Sequence, residues 1–557
     1  MNLSSKISAA PRVVEGNIVD VIGKKIFPGR IEIESGKIKS VHSQSHTRAD
    51  HFVLPGLIDA HVHIESSMVV PAEFARIAVT HGTVGTVSDP HEIANVLGIA
   101  GIDFMLTSGN KVPFYFNFGA PSCVPASNFE TAGVVIDSTA IGEILQRNEF
   151  HYLSEMMNYP GVLSDDREVM KKISAAKKLQ KPVDGHAPGL KGNAAVKYIN
   201  AGISTDHECT TYDEAKWKLQ HGMKILIREG SAAKNFEALI SLLDEFPDMI
   251  MFCSDDKHPD DLVKGHMNEL VIRALNHGCD MWNVLRAVTL NPVLHYKLEC
   301  GLLRLGDSAD FIVIDNFTKF NVLRTVVCGE LIAEEGQSFI SRMATSAINN
   351  FKCTLKSAAD FSLPYNETSP EKKVRVIEAI DGQLTTKTFF HPLDKLLSNH
   401  GLNADIENDI LKFTVVNRYS DAKPAVAFIK NFGLRGGAIA SSVGHDSHNI
   451  LSVGVSDEMI SRAVNLIIRS KGGLAAVTES DEEILPLPVA GLMSDEDIYK
   501  VAEAYSHIDS TVRQMGSSLH APFMTLSFMA LLVIPQLKLS DKGLFDGERF
   551  EFISLIV

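Results

Sequence analysis

Two histidines one residue apart end an apolar segment near the start of the chain, in the stretch FVLPGLIDAHVHIESSM. Alternate side chains of an extended strand share a face, so His61 and His63 point the same way, with Cα atoms about 6–7 Å apart. Two imidazoles in this position can bind one metal ion. An isolated pair is equally compatible with a hydrogen-bonded core histidine beside an incidental one, so the interpretation depends on finding further ligands.

Later apolar segments also end on histidine or carboxylate side chains: Glu155 in HYLSEMMNYPGV, His186 in KPVDGHAPGL, His207 in AGISTDHECT, and Asp255 and Asp256 in MIMFCSDDKHPDDL. Each has a structural alternative, a helix cap for the carboxylates and a hydrogen-bonded core position for the histidines. All are costly to bury without a partner, yet all recur at strand ends of one continuous block. If the strands form a parallel barrel, their ends share one face, and this set is sufficient for two divalent ions with a bridging carboxylate.

The surrounding texture indicates which elements hold these residues. Residues 13–53 are short, alternating and rich in turns, which predicts a small β unit. From there to about residue 298, apolar strands alternate with helical stretches, as parallel βα units do. Short strands return after residue 300 and could pair with the first β unit into one sandwich built from both flanks. The rest, from about residue 351, is predicted to be mixed α/β.

Composition limits the class of partner. The 557 residues are 45% hydrophobic and 22% charged, with a formal net charge of -15 and no Lys/Arg-rich cluster, which favours a small substrate over nucleic acid or a membrane surface. Seven scattered cysteines without a C-x-x-C pair, and no apolar leader, predict a reducing, cytoplasmic setting. The apolar stretch FMTLSFMALLVIPQL is interrupted by polar residues and is predicted to be a buried helix.

Several motifs together carry a family resemblance. PGLIDAHVHIESSM, TVSDPHEIANV, SEMMNYPGV, DGHAPGL, TDHECTTYDEA, REGSAAKN, CSDDKHPDDL and, later, GGAIASSVGHDSHNI and LPLPVAGLMS resemble the adenine deaminases of the amidohydrolase superfamily over nearly the whole chain. The resemblance implies an α/β fold: a distorted (β/α)8 TIM-like barrel, a composite β-sandwich from both flanks and an additional C-terminal mixed α/β domain. The expected boundaries are 1–55 and 300–347 for the two parts of the sandwich, 56–299 for the metal-dependent hydrolase barrel and 348–557 for the C-terminal domain.

The same resemblance implies hydrolytic deamination of adenine to hypoxanthine and ammonia with two divalent ions, Mn or Fe, with Zn also possible. It assigns one ion to His61, His63 and Asp255, the other to His186 and His207, and the bridge to Glu155. Many relatives bridge with a carbamylated lysine. The motif LSEMM contains no lysine, which favours a carboxylate-bridged deaminase.

The implied mechanism also assigns proton transfer and substrate contacts. Asp255 would take a proton from the attacking water and deliver it to the departing amine. Its neighbour Asp256 is the alternative candidate for the metal ligand. His91, Glu92 and Asp256 are expected to contact the base. For His91 and Glu92, the alternative is a helix start with Asp89 as cap and Pro90 as the first helical residue.

Two further sets of residues stay open. Arg228 and Glu229 could line the pocket or form a structural ion pair. The second set, His445, Asp446 and His448 of GHDSHN, could close the site, bind an extra ion or form a loop turn.

Other functions are compatible with the same residues. The alternatives are hydrolysis of another cyclic amine or amide, and a non-catalytic metal-binding scaffold. The tripeptide HIE satisfies half of the cytidine-deaminase zinc signature, but the required P-C-x-x-C is missing. The resemblance also suggests a homo-oligomer, with a dimer favoured.

Overall fold

The computed structural model describes residues 8–9, 12–44, 50–367, 371–398 and 401–557. The chain opens with short strands that form part of an antiparallel sheet: β1 (Ser8–Ala9), β2 (Val13–Asp20), β3 (Lys25–Glu34), β4 (Lys37–Ser43) and β5 (Phe52–Pro55). Gly56 then leads directly into a block in which strands and helices alternate.

This block contains β6 (Leu57–Val62), α1 (Pro71–Ala78), β7 (Thr83–Ser88), α2 (His91–Leu97), α3 (Ile99–Gly109), β8 (Tyr115–Ala120), α4 (Ser138–Gln146), β9 (Phe150–Met156), α5 (Tyr159–Leu163), α6 (Arg167–Lys178), β10 (Val183–Gly185), α7 (Gly192–Ala201), β11 (Thr205–Asp206), α8 (Tyr212–Gln220), β12 (Lys224–Arg228), α9 (Phe236–Leu239), α10 (Leu242–Glu245), β13 (Ile250–Cys253), α11 (Pro259–Lys264), α12 (Met267–Asn276), α13 (Met281–Ala287) and α14 (Leu290–Tyr296). The repeating strand and helix pattern is that of parallel βα units.

The strands of this block close into a distorted barrel. Strands β6 to β10 form one parallel sheet and β11 to β13 another. The two sheets meet where Ser204 N donates to Val183 O (2.8 Å) and, on the other side, where Asp255 N donates to His61 O (2.9 Å). Every residue of β6 and β7 is buried, as expected for strands with helices outside and side chains inside. The predicted barrel is confirmed.

The two flanks of the barrel join in one sheet. After the barrel come β14 (Phe311–Ile314), β15 (Val322–Val327), β16 (Glu330–Glu334) and β17 (Gln337–Ser338). Strand β14 pairs antiparallel with β5, Phe311 opposite Pro55, and β16 pairs with β1, which completes a nine-stranded sheet. Ile31 and Phe311, one from each flank, lie in the same apolar cluster. The predicted pairing of the two flanks is therefore present, in one continuous sheet.

The remaining residues form a second sheet-rich unit, consisting of β18 (Lys373–Ala379), β19 (Thr386–Pro392), β20 (Leu397–Ser398), β21 (Gly401–Leu402), β22 (Ile410–Val416), β23 (Ala425–Lys430), β24 (Ala438–Ser441), β25 (Ile450–Gly454), α15 (Asp457–Ser470), β26 (Gly473–Val477), β27 (Glu482–Pro486), α16 (Ile498–Gln514), α17 (Pro522–Phe528), β28 (Leu537–Ser540), β29 (Gly543–Asp546) and β30 (Glu551–Phe552). Its main sheet has the order β19-β18-β23-β22-β25-β24-β26-β27.

The two faces of this sheet have different partners. Helix α15 covers one face, where Ala438, Ala440 and Ala475 keep the contact close. Alternate residues point to opposite faces of a strand, and Ile439 on the other face belongs to the same apolar cluster as Met156 of barrel strand β9. The C-terminal unit is thus packed against the barrel.

The stretch FMTLSFMALLVIPQL is helical only in its first half. Helix α17 ends at Phe528, and the following residues turn while Leu531 to Ile534 stay buried. The predicted burial of this stretch is confirmed, but the predicted helix is wrong for the second half of the stretch. An all-apolar segment can be buried as a turning chain as well as in a helix. Among the described residues, we find no helix with both the length and the apolar character that spanning a membrane requires.

Lys538 of β28 holds this turning segment in place. Its side chain is fully buried, and Nζ donates to Leu384 O (2.6 Å) and Phe528 O (2.9 Å). Burial lowers the pKa of Lys538 to about 7. A neutral amine has two N–H groups, which matches the two carbonyl acceptors.

Replacing Lys538 by methionine tests this role. Lys538→Met leaves two buried carbonyls without a donor, at a cost of about 1–3 kcal/mol each. Between pH 7 and 9 a folded Lys538 binds fewer protons than an unfolded lysine, so this residue makes the wild type more stable as pH rises. We expect the difference in melting temperature between wild type and variant to be larger at pH 9 than at pH 7 by calorimetry. The exposed Lys500→Met is the control, and an unchanged melting temperature for Lys538→Met at both pH values would contradict the role.

Candidate metal centre and active site

The barrel brings all the predicted metal ligands to one edge. His61 lies in β6 and Glu155 in β9, while three of the others directly or closely follow their strands: His63 after β6, His186 after β10 and His207 after β11. Asp255 comes two residues after β13, and its backbone φ of 54° turns the chain there into the left-handed region, which aspartate tolerates better than most residues. All six side chains are buried. Glu155 and Asp255 cap no helix, so the helix-cap alternative is wrong for both.

His61, His63 and Asp255 form one compact group. The Nε2 atoms of His61 and His63 are 3.2 Å apart. Asp255 Oδ1 lies 3.4 Å from His61 Nε2 and 3.2 Å from His63 Nε2. Ligands bound to one ion at 2.0–2.2 Å are separated by about 3–3.6 Å, so these distances match a shared ion. His63 Nδ1 donates to Asp89 O (3.2 Å), which directs Nε2 into the group.

Glu155 connects this group to a second one. Its Oε1 lies 3.3 Å from His63 Nε2, whereas Oε2 lies 2.7 Å from His186 Nδ1 and 3.1 Å from His207 Nε2. The two oxygens of one carboxylate therefore face two different sets of histidines. This buried His/Asp/Glu arrangement fits a divalent metal site.

Charge in the site is strongly organised. Burial opposes ionisation of Glu155, but His186 and His207 outweigh it and hold the pKa of Glu155 well below its ordinary value. Arg228, His61 and His63 likewise outweigh burial at Asp255 and keep its pKa low. Two ionised carboxylates thus create a field that stabilises positive charge in the middle of the barrel.

Arg228 of β12 forms an ion pair with Oδ2 of Asp255, the oxygen that does not contact His61 or His63. Its Nη1 lies 2.5 Å from Asp255 Oδ2, and Nη2 lies 2.8 Å from Glu208 Oε2. Of the two alternatives left by the sequence, the buried ion pair is what the structure contains. Glu229 faces a different cleft and pairs with Arg273 at 2.8 Å. Sequence reasoning missed Glu208, although its position directly after His207 in TDHECT was a usable signal.

His91 and Glu92 begin helix α2 and also face the site. Asp89 Oδ1 accepts from His91 N (3.1 Å), so the helix-start prediction holds in part, with Pro90 at the N-cap and His91 as the first helical residue. His91 Nδ1 lies 3.7 Å from Glu155 Oε1. Both residues therefore start a helix and line the cavity.

Asp256 lines the cavity beside His63 and Asp255. Ser66 Oγ donates to Asp256 Oδ1 (2.5 Å), and burial raises the pKa of Asp256. Asp255 Oδ1 contacts both His61 and His63, so the geometry favours Asp255 over Asp256 as the ligand.

The cavity above the ligands has a wall from the C-terminal unit. Leu384, His445, Asp446, Phe528 and Leu531 line it together with the barrel residues. Three roles were open for the GHDSHN motif, and the structure shows that His445 and Asp446 close the site. The three apolar residues carried no signal in the sequence, because only the packing of the two units places them here.

A parallel barrel with such a donor set at the carboxyl ends of its strands defines a metal-dependent hydrolase. Family models match residues 52–332 as the amidohydrolase family and residues 384–551 as the adenine deaminase C-terminal domain. The adenine deaminase of Salinibacter ruber is 52% identical over 98% of this chain and 99% of its own length, and that of Methanosarcina mazei is 50% identical over 97% and 98%.

A solved β-aspartyl dipeptidase of Fervidobacterium islandicum aligns with 58% of this chain and 98% of its own at a TM-score of 0.45 and 17% identity. The two family matches and the relatives that cover nearly the full length decide the family. The chain belongs to the amidohydrolase family and, within it, to the adenine deaminases.

The support given by Arg228 can be tested by Arg228→Met. Removing the guanidinium leaves Asp255 and Glu208 buried without their counter-charge, and we expect a loss of about 3–5 kcal/mol of stability. Thermal unfolding and metal analysis measure the effect, with Arg324→Met, which removes an exposed pair with Glu334, as control. Equal melting temperatures for the two variants would show that Arg228 does not support the site.

Proposed function

We propose that this protein catalyses the hydrolytic deamination of adenine to hypoxanthine and ammonia, a reaction of purine salvage. The observation that carries the proposal is the carboxylate of Glu155 between two sets of histidines, in a chain about half identical to adenine deaminases over nearly its full length. A carboxylate in this position takes the place that a modified lysine occupies in other members of the superfamily.

In this proposal His61, His63 and Asp255 would hold one divalent ion and His186 and His207 a second, with Glu155 shared between the two groups. Mn or Fe is the proposed metal, and Zn also suits a site of histidines and carboxylates. Such ions would supply a water of lowered pKa that can act as a nucleophile near neutral pH.

The protein's own groups then manage protons and orientation. Asp255 would accept one proton from water as the water oxygen bonds to C6, and would pass it to the amine, so that the C6–N bond breaks and ammonia leaves. The second water proton ends on N1 of hypoxanthine as the C6–O bond becomes the carbonyl. Arg228 keeps Asp255 Oδ2 in a fixed direction during this transfer. His91, Glu92 and Asp256 face the cavity and hold the base with C6 toward the ligands.

The proposal is tested by ammonia release from adenine with protein loaded with Mn²⁺ or Fe²⁺. We expect turnover of adenine by the wild type and near-background rates for Glu155→Gln, because an amide cannot bridge two ions as a carboxylate does. Glu168→Gln, on the exposed side of α6, is the matched control and should retain wild-type rates.

A panel of adenosine, cytosine and dihydroorotate sets the substrate class in the same assay. Turnover of a panel compound but not of adenine would replace the substrate with another cyclic amine or amide. Stoichiometric metal without any turnover would leave a metal-binding scaffold.

The metal, the assembly and the compartment remain predictions. Activity and metal content after separate loading with Mn²⁺, Fe²⁺ and Zn²⁺ would identify the productive ion. Light scattering of the purified protein tests the predicted homodimer, and fractionation of source cells tests the predicted cytoplasmic location.

A further inference from the structure

The loop between β24 and β25 reaches from the C-terminal unit into the mouth of the barrel. Two of its histidines contact Glu92, His445 through Nδ1 on Oε1 and His448 through Nε2 on Oε2. All three side chains are buried. One carboxylate of the barrel is therefore held at both oxygens by the other structural unit.

His448 has the properties of a positioning residue. Gly444 N donates to His448 Nδ1 (3.2 Å), so in the neutral ring the proton is on Nε2, which donates it to Glu92. A nitrogen that carries a proton does not bind a metal ion, so this geometry does not favour an extra ion at His448. Arg418, fully buried, donates from Nη1 to His448 O (3.2 Å) and fixes the loop.

His445 differs because its second nitrogen faces the cavity. With Nδ1 engaged by Glu92, Nε2 lies 3.8 Å from Asp256 Oδ1, too far for a direct hydrogen bond. Burial opposes a charge on this ring, but Glu92 and Asp256 outweigh it and raise the pKa of His445 to about 9. The Nε2–H group is thus available as a donor to a molecule in the cavity.

An apolar surface adjoins this donor. The ring of Phe528 stacks near that of His445, with centroids 5.3 Å apart and an angle of 30° between the planes, and Leu384 and Leu531 continue the wall. Lys538 binds the backbone carbonyls of Leu384 and Phe528, so the wall is held by a buried hydrogen-bond donor. A flat aromatic wall beside an N–H donor suits a planar base with ring nitrogen acceptors.

We propose that the C-terminal unit is the base-recognition element of the active site, in which His445 Nε2 donates to a ring nitrogen of the purine, Phe528 packs against the base, and His448 positions Glu92. This inference rests on the proposed function and gives the C-terminal unit a role in it. It adds base contacts from the C-terminal wall to those proposed for His91, Glu92 and Asp256 of the barrel.

Kinetics on metal-loaded protein test the substrate contacts. We expect His445→Ala to lower kcat/KM for adenine about 10- to 100-fold, as for loss of a hydrogen bond to a charged group. Phe528→Ala should raise KM about 10-fold or more, by loss of base stacking. Phe528→Leu removes the ring but retains an apolar side chain, so it separates the loss of stacking from a folding defect. Metal content should stay at the wild-type level, and the exposed His520→Ala is the control.

His448 requires a different comparison, because its effect passes through Glu92. His448→Gln retains an N–H donor, whereas His448→Leu has none, so we expect His448→Gln to retain far more of kcat than His448→Leu at equal melting temperature. Equal kcat for the two variants would refute the positioning role.

Calorimetric titration with unsubstituted purine, which has no amine to lose, separates binding from turnover. We expect affinity to fall in His445→Ala and Phe528→Ala. If the wild type turns over adenine while both variants keep wild-type affinity, KM and kcat, the inference is overturned and the proposed function stands. If the metal-loaded wild type does not deaminate adenine, the proposed function fails and the inference fails with it.

Discussion

The junction between β13 and β6 both closes the barrel and assembles one of the two candidate ligand groups. Asp255 N donates to His61 O, and His63 N donates to Asp255 O at 3.3 Å. These backbone bonds bring the first and last strands of the barrel together, and the same three residues place their side chains at distances suited to one ion. A barrel that did not close here would not bring His61, His63 and Asp255 together, so barrel closure and this ligand group depend on one contact.

Burying this much charge requires compensation, and the surroundings of the site provide it. Arg228 balances the charges of Asp255 and Glu208, while His445 balances that of Glu92 and His448 contacts its other oxygen. A buried charge that lacks such a partner costs several kcal/mol, so the site carboxylates can stay ionised and buried only because these partner side chains are present. The C-terminal unit contributes to this balance directly, which gives its packing against the barrel a consequence for the active site.

The sequence allowed prediction of those features that depend on local pattern. An apolar strand followed by a histidine or carboxylate is visible in the chain, so His63, His186, His207 and Asp255 could be placed at strand ends before their strands were located in space. The two flanking β segments could be paired because both had the same short, turn-rich pattern. The expectation that Glu155 is the bridge followed from a family resemblance, since spacing alone does not say which carboxylate lies between two groups.

Features that depend on packing between distant segments could not be predicted. Leu384, Phe528 and Leu531 are ordinary apolar residues until the two units meet. Helix α17 ends at Phe528, whose carbonyl accepts a hydrogen bond from Lys538, a residue ten positions further along the chain. Glu208 follows His207 directly in the chain, but its role as the partner of Arg228 depends on β12 lying beside it. In each case the determining partner lies in another element.

The central claim is that Glu155 bridges two ions held by the ends of the barrel strands. Anomalous diffraction at the manganese edge, from crystals of the Mn²⁺-loaded protein, tests it directly. Under this proposal we expect two peaks per chain, about 3.5–4 Å apart, on either side of the Glu155 carboxylate. A single peak among these residues, or two peaks with Glu155 bound to neither, would contradict it.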